Sequence, residues 1–251
     1  MVNKISIIIP VLNEAENIVS LLNHLIKNAS PENIAEIIIV DGGSTDGTPK
    51  KVKAFLSGRA QSRPIKDLST ALGEIEIILF HSPKGRAKQM NQGAKKSAGD
   101  ILYFLHADSF PPYNFDKLII NEINKGNLAG CFRLQFDNNH WWLRLASWLT
   151  QFSWRACRGG DQSQFITKIL FNNIGGYNEN YIIYEDNMLI NELYARKQFV
   201  VIQEKIKTSA RLYKKQGIWK LQYHFWTIYV KKWFGASADD LYRYYKKYIA
   251  L

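Results

Sequence analysis

Cysteine is nearly absent: Cys131 and Cys157 are the only two in 251 residues. Two in a chain this long make no disulfide framework, so a reducing compartment is the default. Neither sits in a Cys-x-x-Cys or His-rich cluster, which argues against a zinc site. No run reaches the roughly 18 to 20 uninterrupted apolar residues that a spanning helix needs. The opening Met-Val-Asn-Lys-Ile-Ser-Ile-Ile-Ile-Pro has no signal-peptide pattern and reads directly as a strand. The expectation is a cytoplasmic protein, either soluble or peripheral at the inner face of the membrane. Internal repeats and low-complexity tracts are missing as well.

What is present suits a sizeable core. Hydrophobic residues make up 46% and charged residues 22%, which excludes general disorder. The length fits one large domain, or one domain with a helical extension. The net charge is +11, and it is concentrated: Lys205 to Leu251 holds 11 Lys/Arg against 2 Asp. Such a patch can meet anionic lipid, a phosphorylated substrate or nucleic acid, or can simply be a solvated basic face.

Along the chain, Ile5 to Ile9 reads as a buried strand closed by Pro10. Asn13 is placed to cap a helix from about Glu14 to Ile26, with Glu16 as its box partner. Ile34 to Val40 is a second strand, and the β-α-β unit implies a parallel pair with a right-handed crossover. Thr48 to Phe55 reads as helix, and Ser57 to Leu72 as a polar loop. Ile75 to Phe80 and Ile101 to Leu105 read as strands around a helix from Arg86 to Ser97. Beyond Pro111-Pro112, Leu118 to Asn124 looks helical. Ala129 to Phe136 alternates like an edge or antiparallel strand. Trp141 to Trp154 carries Trp and Leu at helical spacing. The alternation predicts an α/β domain with a mostly parallel sheet.

Five constellations can carry chemistry. Asp41-Gly42-Gly43-Ser44-Thr45-Asp46-Gly47 directly follows a strand, where open α/β sheets bind ligands. Its carboxylate can accept hydrogen bonds from a base or ribose, yet it is not a G-x-G-x-x-G fingerprint, and a tight turn is the plain alternative. Leu105-His106-Ala107-Asp108 places one acid at a strand end. That acid can hold a hard divalent cation whose other ligands come from diphosphate, water or another side chain. Gly85 to Ala94 puts Arg86 and Lys88 beside a helix start, which favours anions. Gly159-Gly160-Asp161-Gln162 makes a polar loop suited to reading sugar hydroxyls, or a turn into the strand Phe165 to Thr167. Gly175-Gly176-Tyr177 is followed by Glu185-Asp186 at a helix start. Those acids suit a general base or ordinary complementation of the helix dipole.

Taken together, these motifs resemble family 2 glycosyltransferases. The resemblance is carried by Ile7-Ile8-Ile9-Pro10-Val11-Leu12-Asn13-Glu14, Val40 to Thr48, Ala107-Asp108, Gly175-Gly176-Tyr177 and Glu185-Asp186. More narrowly, Gly85 to Ala94, Leu105 to Asp108 and Gly160-Asp161-Gln162 look like a bacterial clade labelled arsenosugar-biosynthesis-associated glycosyltransferase. The resemblance implies a GT-A (Rossmann-like), mostly parallel central sheet flanked by helices over residues 1–215, with an aromatic and basic helical extension over 216–251. It implies inverting, metal-assisted transfer of a sugar from a nucleotide-diphosphate sugar, UDP by default, to a small or lipid-linked acceptor. The donor side would comprise Pro10, Asn13, Glu14, Asp41, Gly43, Ser44, Asp46, Arg86, Lys88 and Ala107. Asp108 would ligate Mg²⁺ or Mn²⁺; Gly160, Asp161 and Gln162 would face the acceptor; Asp186, with Glu185 as rival, would be the base. The chain departs from the pattern in reading His-Ala-Asp where many relatives carry Asp-Ala-Asp or Asp-Asp. It also lacks the Gln-x-x-Arg-Trp motif of processive synthases.

The C-terminal aromatics, from Trp219 to Phe234, lie among Lys220, Lys231 and Lys232. Two readings are open for this segment. One is a helix packed over the sheet or in a homodimer, with its basic face in water; buried aromatic stripes are common, so this is the expectation. The other is a helix lying on an anionic membrane. Arg211 to Lys215 can instead help close over a diphosphate. Two competing functions complete the picture. A nucleotidyltransferase would want a glycine-rich loop and a basic finger where Pro10 to Glu14 stands. A non-catalytic module binding membrane or nucleic acid leaves the strand-end acids unexplained, so nucleic acid is not an expected partner.

Overall fold

The structure is a computed structural model that describes residues 3–61 and 75–250, with backbone only at 60 and 61. One sheet of eight strands runs through it: β1 (Ile5–Val11), β2 (Ile34–Asp41), β3 (Glu76–His81), β4 (Ile101–Phe104), β5 (Ser109–Phe110), β6 (Ala129–Phe136), β7 (Gln164–Thr167) and β8 (Val200–Thr208). Their spatial order is β3-β2-β1-β4-β7-β6-β8-β5. The first four are mutually parallel, β7 runs antiparallel to β4 and β6, and β8 lies parallel to β6. The helices are α1 (Ile18–Asn28), α2 (Thr48–Gln61), α3 (Arg86–Lys96), α4 (Phe115–Asn124), α5 (Trp141–Leu149), α6 (Lys168–Ile174), α7 (Glu185–Ala195), α8 (Arg211–Gln216), α9 (Ile218–Trp233) and α10 (Ala238–Tyr248). The fold is the GT-A-like α/β arrangement that the resemblance implies.

The two faces of β1 and β2 explain why these strands are continuously apolar. Ile5, Ile7 and Ile9 point with Ile37 and Ile39 into a core shared with Leu21, Leu22 and Leu25 of α1 and Phe115 and Ile119 of α4. Ile8, Ile38 and Val40 point the other way, against Ala87, Met90 and Ala94 of α3 and Leu189 and Leu193 of α7. A strand covered on both sides must be apolar at every position. Each such side chain contributes about 1.5–3 kcal/mol relative to exposure. Gly93 lets α3 approach closely: a Cβ there would overlap Ile8 Cγ2 and lie 3.3 Å from Val40 Cγ2.

Several expectations change. Asn13 caps no helix: it is left-handed at φ 58°, its Oδ1 accepts from Thr45 N at 2.8 Å, and α1 begins at Ile18 with Asn17 as N-cap. Ser57 to Gln61 continue α2, and the rest of the expected polar loop, from residue 62, lies outside the described residues. β6 is antiparallel to β7 as expected, but it is no edge, because β8 covers its other side. β8 escapes a reading by pattern because Gln203, Glu204 and Lys205 sit at its irregular register step opposite Phe132 and Arg133. The C-terminal aromatics divide. Leu221, His224 and Ile228 of α9 are buried, with Leu241 and Ile249 in the same small core, whereas Trp219, Tyr223, Trp226, Val230 and Trp233 are exposed. Within the single chain Leu221 and Ile228 provide the apolar packing, Phe225 packs partly against it, and the Trp-rich stripe faces out.

Candidate functional site

The carboxyl ends of β1 and β2 carry two loops laced together by side chains. Asn13 N donates to Ser44 Oγ at 2.9 Å. Asp46 accepts from Ala15 N at 2.9 Å and from Thr48 N and Oγ1 at 2.9 and 2.6 Å. Glu14 N donates to Thr48 Oγ1 at 2.9 Å. Asp46 thus supports the loop, and these hydrogen bonds hold its carboxyl below the usual range. Beneath the loops, Gln89 of α3 is buried and donates to Val11 O at 2.9 Å and Val40 O at 2.7 Å, tying both strand ends. A Cβ on Gly42 would lie 2.9 Å from Gln89, so glycine is what lets the turn sit on it.

Asp41 ends β2. Its carboxylate accepts from Gly43 N at 3.1 Å, Ser44 N at 3.2 Å and His81 Nδ1 at 3.0 Å. Burial pushes its pKa up, but the hydrogen bonds from Ser44, Gly43 and His81 outweigh burial and leave it lowered. An ionised acceptor is therefore fixed at the strand end. Gly43 has φ 92° and Gly47 φ 89°, conformations that glycine adopts without strain. Pro10 precedes the last residue of β1, beyond the end of β4, so its missing N–H removes no bond on that side.

Asp108 lies two residues before the short bridge partner Phe110. Its Oδ2 is 3.4 Å from Arg211 Nε, and the same guanidinium pairs with both oxygens of Glu14. Burial raises the Asp108 pKa to about 6; Arg211 opposes this, while Asp161 and Glu14 add to it. A cleft beside it is lined by Asn13, Glu14, Asp46, Lys51 and Arg211. His106 is kept neutral, its pKa lowered to about 3 by burial and by Arg86. Among the described residues no group of three or more His, Cys, Asp or Glu gathers as a ready metal cage. A single carboxylate with acidic neighbours still fits a hard ion that takes its other ligands from diphosphate oxygens and water.

Close to His106 and Asp161, Arg86 opens α3. Its Nη1 lies 3.3 Å from Glu185 Oε1 and 3.5 Å from Asp186 Oδ2. Both carboxylates are buried in the first turn of α7. Burial raises both pKa values, and Arg86 opposes the rise. Burial opposes the charge on Arg86, but Glu185, Asp186 and Asp161 together raise its pKa above the ordinary value. Asp161 reaches solvent, yet the surrounding protein and Asp186 push its pKa up while Arg86 pulls it down. Asp161 is thus felt by Asp108 on one side and Asp186 on the other. Gly160 is pressed against the base candidate: a Cβ there would overlap Asp186 Oδ2 and lie 2.7 Å from Cγ. Asn91 of α3 holds the Gly175-Gly176-Tyr177 turn from both sides, through Tyr177 N and O at 2.9 Å each.

The structure places the remaining three sequence-derived site residues as follows. The Gln162 side chain turns inward: it is buried, accepts from Arg158 Nη1 at 2.5 Å and donates to Cys157 O at 2.6 Å. Ala107 packs in the main core beneath the site. Lys88 is exposed, its stem beside Gly85, with no hydrogen bond or ion pair to the acids. Sequence reasoning missed Arg158, a buried cation that also donates to Thr150 O at 2.7 Å and Phe152 O at 2.5 Å and so fixes the 150–162 connection. No spacing in the sequence marks it. Gln89 and Asn91 did lie in a motif already singled out.

Comparison with known proteins sets this geometry in a family. The model of glycosyl transferase family 2 matches residues 6–178. A glycosyltransferase, AglE, of Haloferax volcanii is 36% identical over 107 residues, which is 43% of this chain and 31% of that protein. The undecaprenyl-phosphate 4-deoxy-4-formamido-L-arabinose transferase of Proteus mirabilis is 27% identical over 58% of this chain and 41% of that one. These matches span less than half of each relative's length. Among solved structures, the mannosyltransferase PcManGT of Pyrobaculum calidifontis, in complex with GDP-Man and Mn²⁺, has a TM-score of 0.66 at 16% identity. That alignment covers all of this chain and 65% of the other. TarS 1-349 of S. aureus, in complex with UDP, has a TM-score of 0.62 at 16% identity over 82% of this chain and 60% of that one. At such identity these two structures show the GT-A fold alone. With the family model spanning more than half its length, the chain belongs to glycosyltransferase family 2.

Proposed function

We propose that the protein transfers a sugar from a nucleotide-diphosphate sugar to an acceptor hydroxyl by direct, inverting displacement. One observation carries the reading: Asp41, Asp108 and the Arg86-linked pair Glu185–Asp186 all gather at the carboxyl ends of the strands, where open α/β sheets bind ligands. Family membership supports it. The first 215 residues would form the transferase domain and the rest an extension packed on it.

Asp41, kept ionised, accepts hydrogen bonds from the base or ribose, with Ser44 and Gly43 shaping the turn around it. Asp108 would hold Mg²⁺ or Mn²⁺, which when bound supplies positive charge to the diphosphate. Arg86 adds positive charge to the cleft and holds the buried carboxylates in place. Asp186, its pKa raised by burial, accepts the proton of the attacking hydroxyl. Glu185 lies deeper and is the supporting acid. Asp161 and Gly160 form the acceptor-side wall. The acceptor in this reading is a small or lipid-linked molecule that presents a hydroxyl. UDP is the default nucleotide. Placement in the arsenosugar-associated clade rests on Gly85 to Ala94, Leu105 to Asp108 and Gly160 to Gln162.

The test is thermal stability against UDP, GDP, dTDP and their sugars, with and without Mn²⁺. A ligand that binds only the folded chain raises the melting temperature by mass action. A metal-dependent rise with one nucleotide is the expected result. A folded protein that responds to none of them overturns the reading.

A further inference from the structure

Six of the seven tryptophans are exposed: Trp141, Trp148, Trp154, Trp219, Trp226 and Trp233. On α9 the exposed aromatic and aliphatic positions 219, 223, 226, 229, 230 and 233 fall within an arc of about 120° at 3.6 residues per turn. That arc lies opposite Leu221, His224 and Ile228, which face the protein. Helix α5 repeats the device at Trp141, Leu145 and Trp148, with Leu143 buried. Trp141 meets Trp219 at 5.7 Å between ring centroids, which joins the two stripes. Phe234, 83% exposed, follows Trp233, 85% exposed, at the end of α9. An apolar face this long is not the scatter of single residues normal on a monomer.

Its charge chooses the occupant. Neither α5 nor α9 contains an Asp or Glu, while Arg144 and Lys220 flank the exposed aromatics; Lys231 and Lys232 turn away from them, toward Tyr244 and Tyr181. A shallow depression beside α5 adds Arg133 and Lys205 to Trp141 and Trp148. In a two-fold dimer the same face would meet itself, and these cations would oppose one another. An anionic lipid surface removes that repulsion. It also suits Trp and Tyr, whose rings settle at headgroup depth. No helix among the described residues is long and apolar enough to cross a membrane, so contact would be lateral.

We propose that α5 and α9 form a docking face for an anionic membrane surface. The face lies beside the first turn of α7, which carries Glu185 and Asp186. Tyr229 of α9 packs on Tyr184 and its hydroxyl is 3.5 Å from Asn187 Oδ1, one residue after Asp186. Docking brings that turn to the headgroups. The consequence for acceptor access rests on the transfer reading; docking itself does not.

The experiment is sedimentation of the full chain with phosphatidylcholine vesicles, and with vesicles that also contain phosphatidylglycerol. Tryptophan emission is recorded alongside. Binding to the anionic vesicles, weakened by salt, with a blue shift, is expected. The double variant Trp233→Ser/Phe234→Ser should lower the partition coefficient by at least about tenfold, the factor for losing one buried aromatic's transfer energy. Both residues are exposed, so the fold should be kept, and metal-dependent nucleotide binding should stay unchanged. A second variant, Arg144→Gln/Lys220→Gln, should reduce binding to anionic vesicles alone. No binding to either vesicle overturns the proposal. So does a vesicle-free dimer in sedimentation velocity that the double variant dissociates, since the face then serves a second copy.

Discussion

Gly160→Ala tests the base assignment without touching a charged group. The alanine Cβ would overlap Asp186 Oδ2 and stand 2.7 Å from Cγ, where ordinary contact begins at 3.4 Å. One of the two must retreat by roughly 1 Å, a misplacement that can cost about 100-fold in rate, or close to 2.7 kcal/mol in barrier height. The obstacle is a side-chain carboxylate rather than backbone, so Asp186 can turn aside with little effect on folding. The assay is transfer rate at saturating donor, with donor affinity measured separately. We expect kcat to fall about 100-fold while donor binding holds. Asp186→Asn should show the same split more severely. Gly159→Ala is the control, because its φ is −161° and a Cβ there meets nothing within 4 Å. If Gly160→Ala keeps kcat within about threefold of the parent, Asp186 is not the group that takes the proton.

Three further outcomes follow from the same geometry. Asp108 must be deprotonated to ligate a cation, and its folded pKa is raised from 3.8 to about 6. Mn²⁺-dependent nucleotide binding should therefore weaken as pH falls through about 6, and a loss only near pH 4 would contradict the burial of that carboxyl. Arg211→Gln removes the cation now paired with Asp108, so Mn²⁺ alone should bind more tightly at alkaline pH in a direct titration; equal or weaker binding would show that the guanidinium does not compete. Gly93→Ala should destabilise the fold by about 1–3 kcal/mol in urea unfolding, because α3 must back away from Ile8 and Val40; an unchanged midpoint would mean that the contact relaxes freely.

The parallel half of the sheet was legible because β1 and β2 are buried on both faces, so their sequences are uninterrupted runs of Ile and Val. Motif order also placed Asp41, Asp108 and Asp186 at one end of that sheet. The second half was harder to see. β8 carries Gln203, Glu204 and Lys205 at its register shift, and its parallel neighbour lies more than sixty residues away in sequence. Long-range pairing leaves no local period. Side-chain direction was equally hidden. Asn13 has the residue type of a helix cap, yet a left-handed backbone turns it to lace two loops. Gln162 sits in a glycine-rich polar loop, but the buried Arg158 needs an acceptor and draws it inward. On α9 the sequence held two apolar stripes, and only packing decides which one faces the core.

The C-terminal helices are tied to the cleft at both ends of the proposed reaction path. At the donor end, Arg211 of α8 joins Glu14 to Asp108, so a cation arriving at Asp108 must displace or share with the guanidinium. At the acceptor end, Tyr229 of α9 reaches Asn187, which Arg155 also holds through its backbone and side-chain oxygens at 3.1 Å. Movement of α8 would therefore be felt by Asp108, and movement of α9 by the first turn of α7. The exposed aromatic stripe lies on this same segment. A contact made there has a short covalent and packed route to the carboxylates, through side chains already in place in the isolated chain.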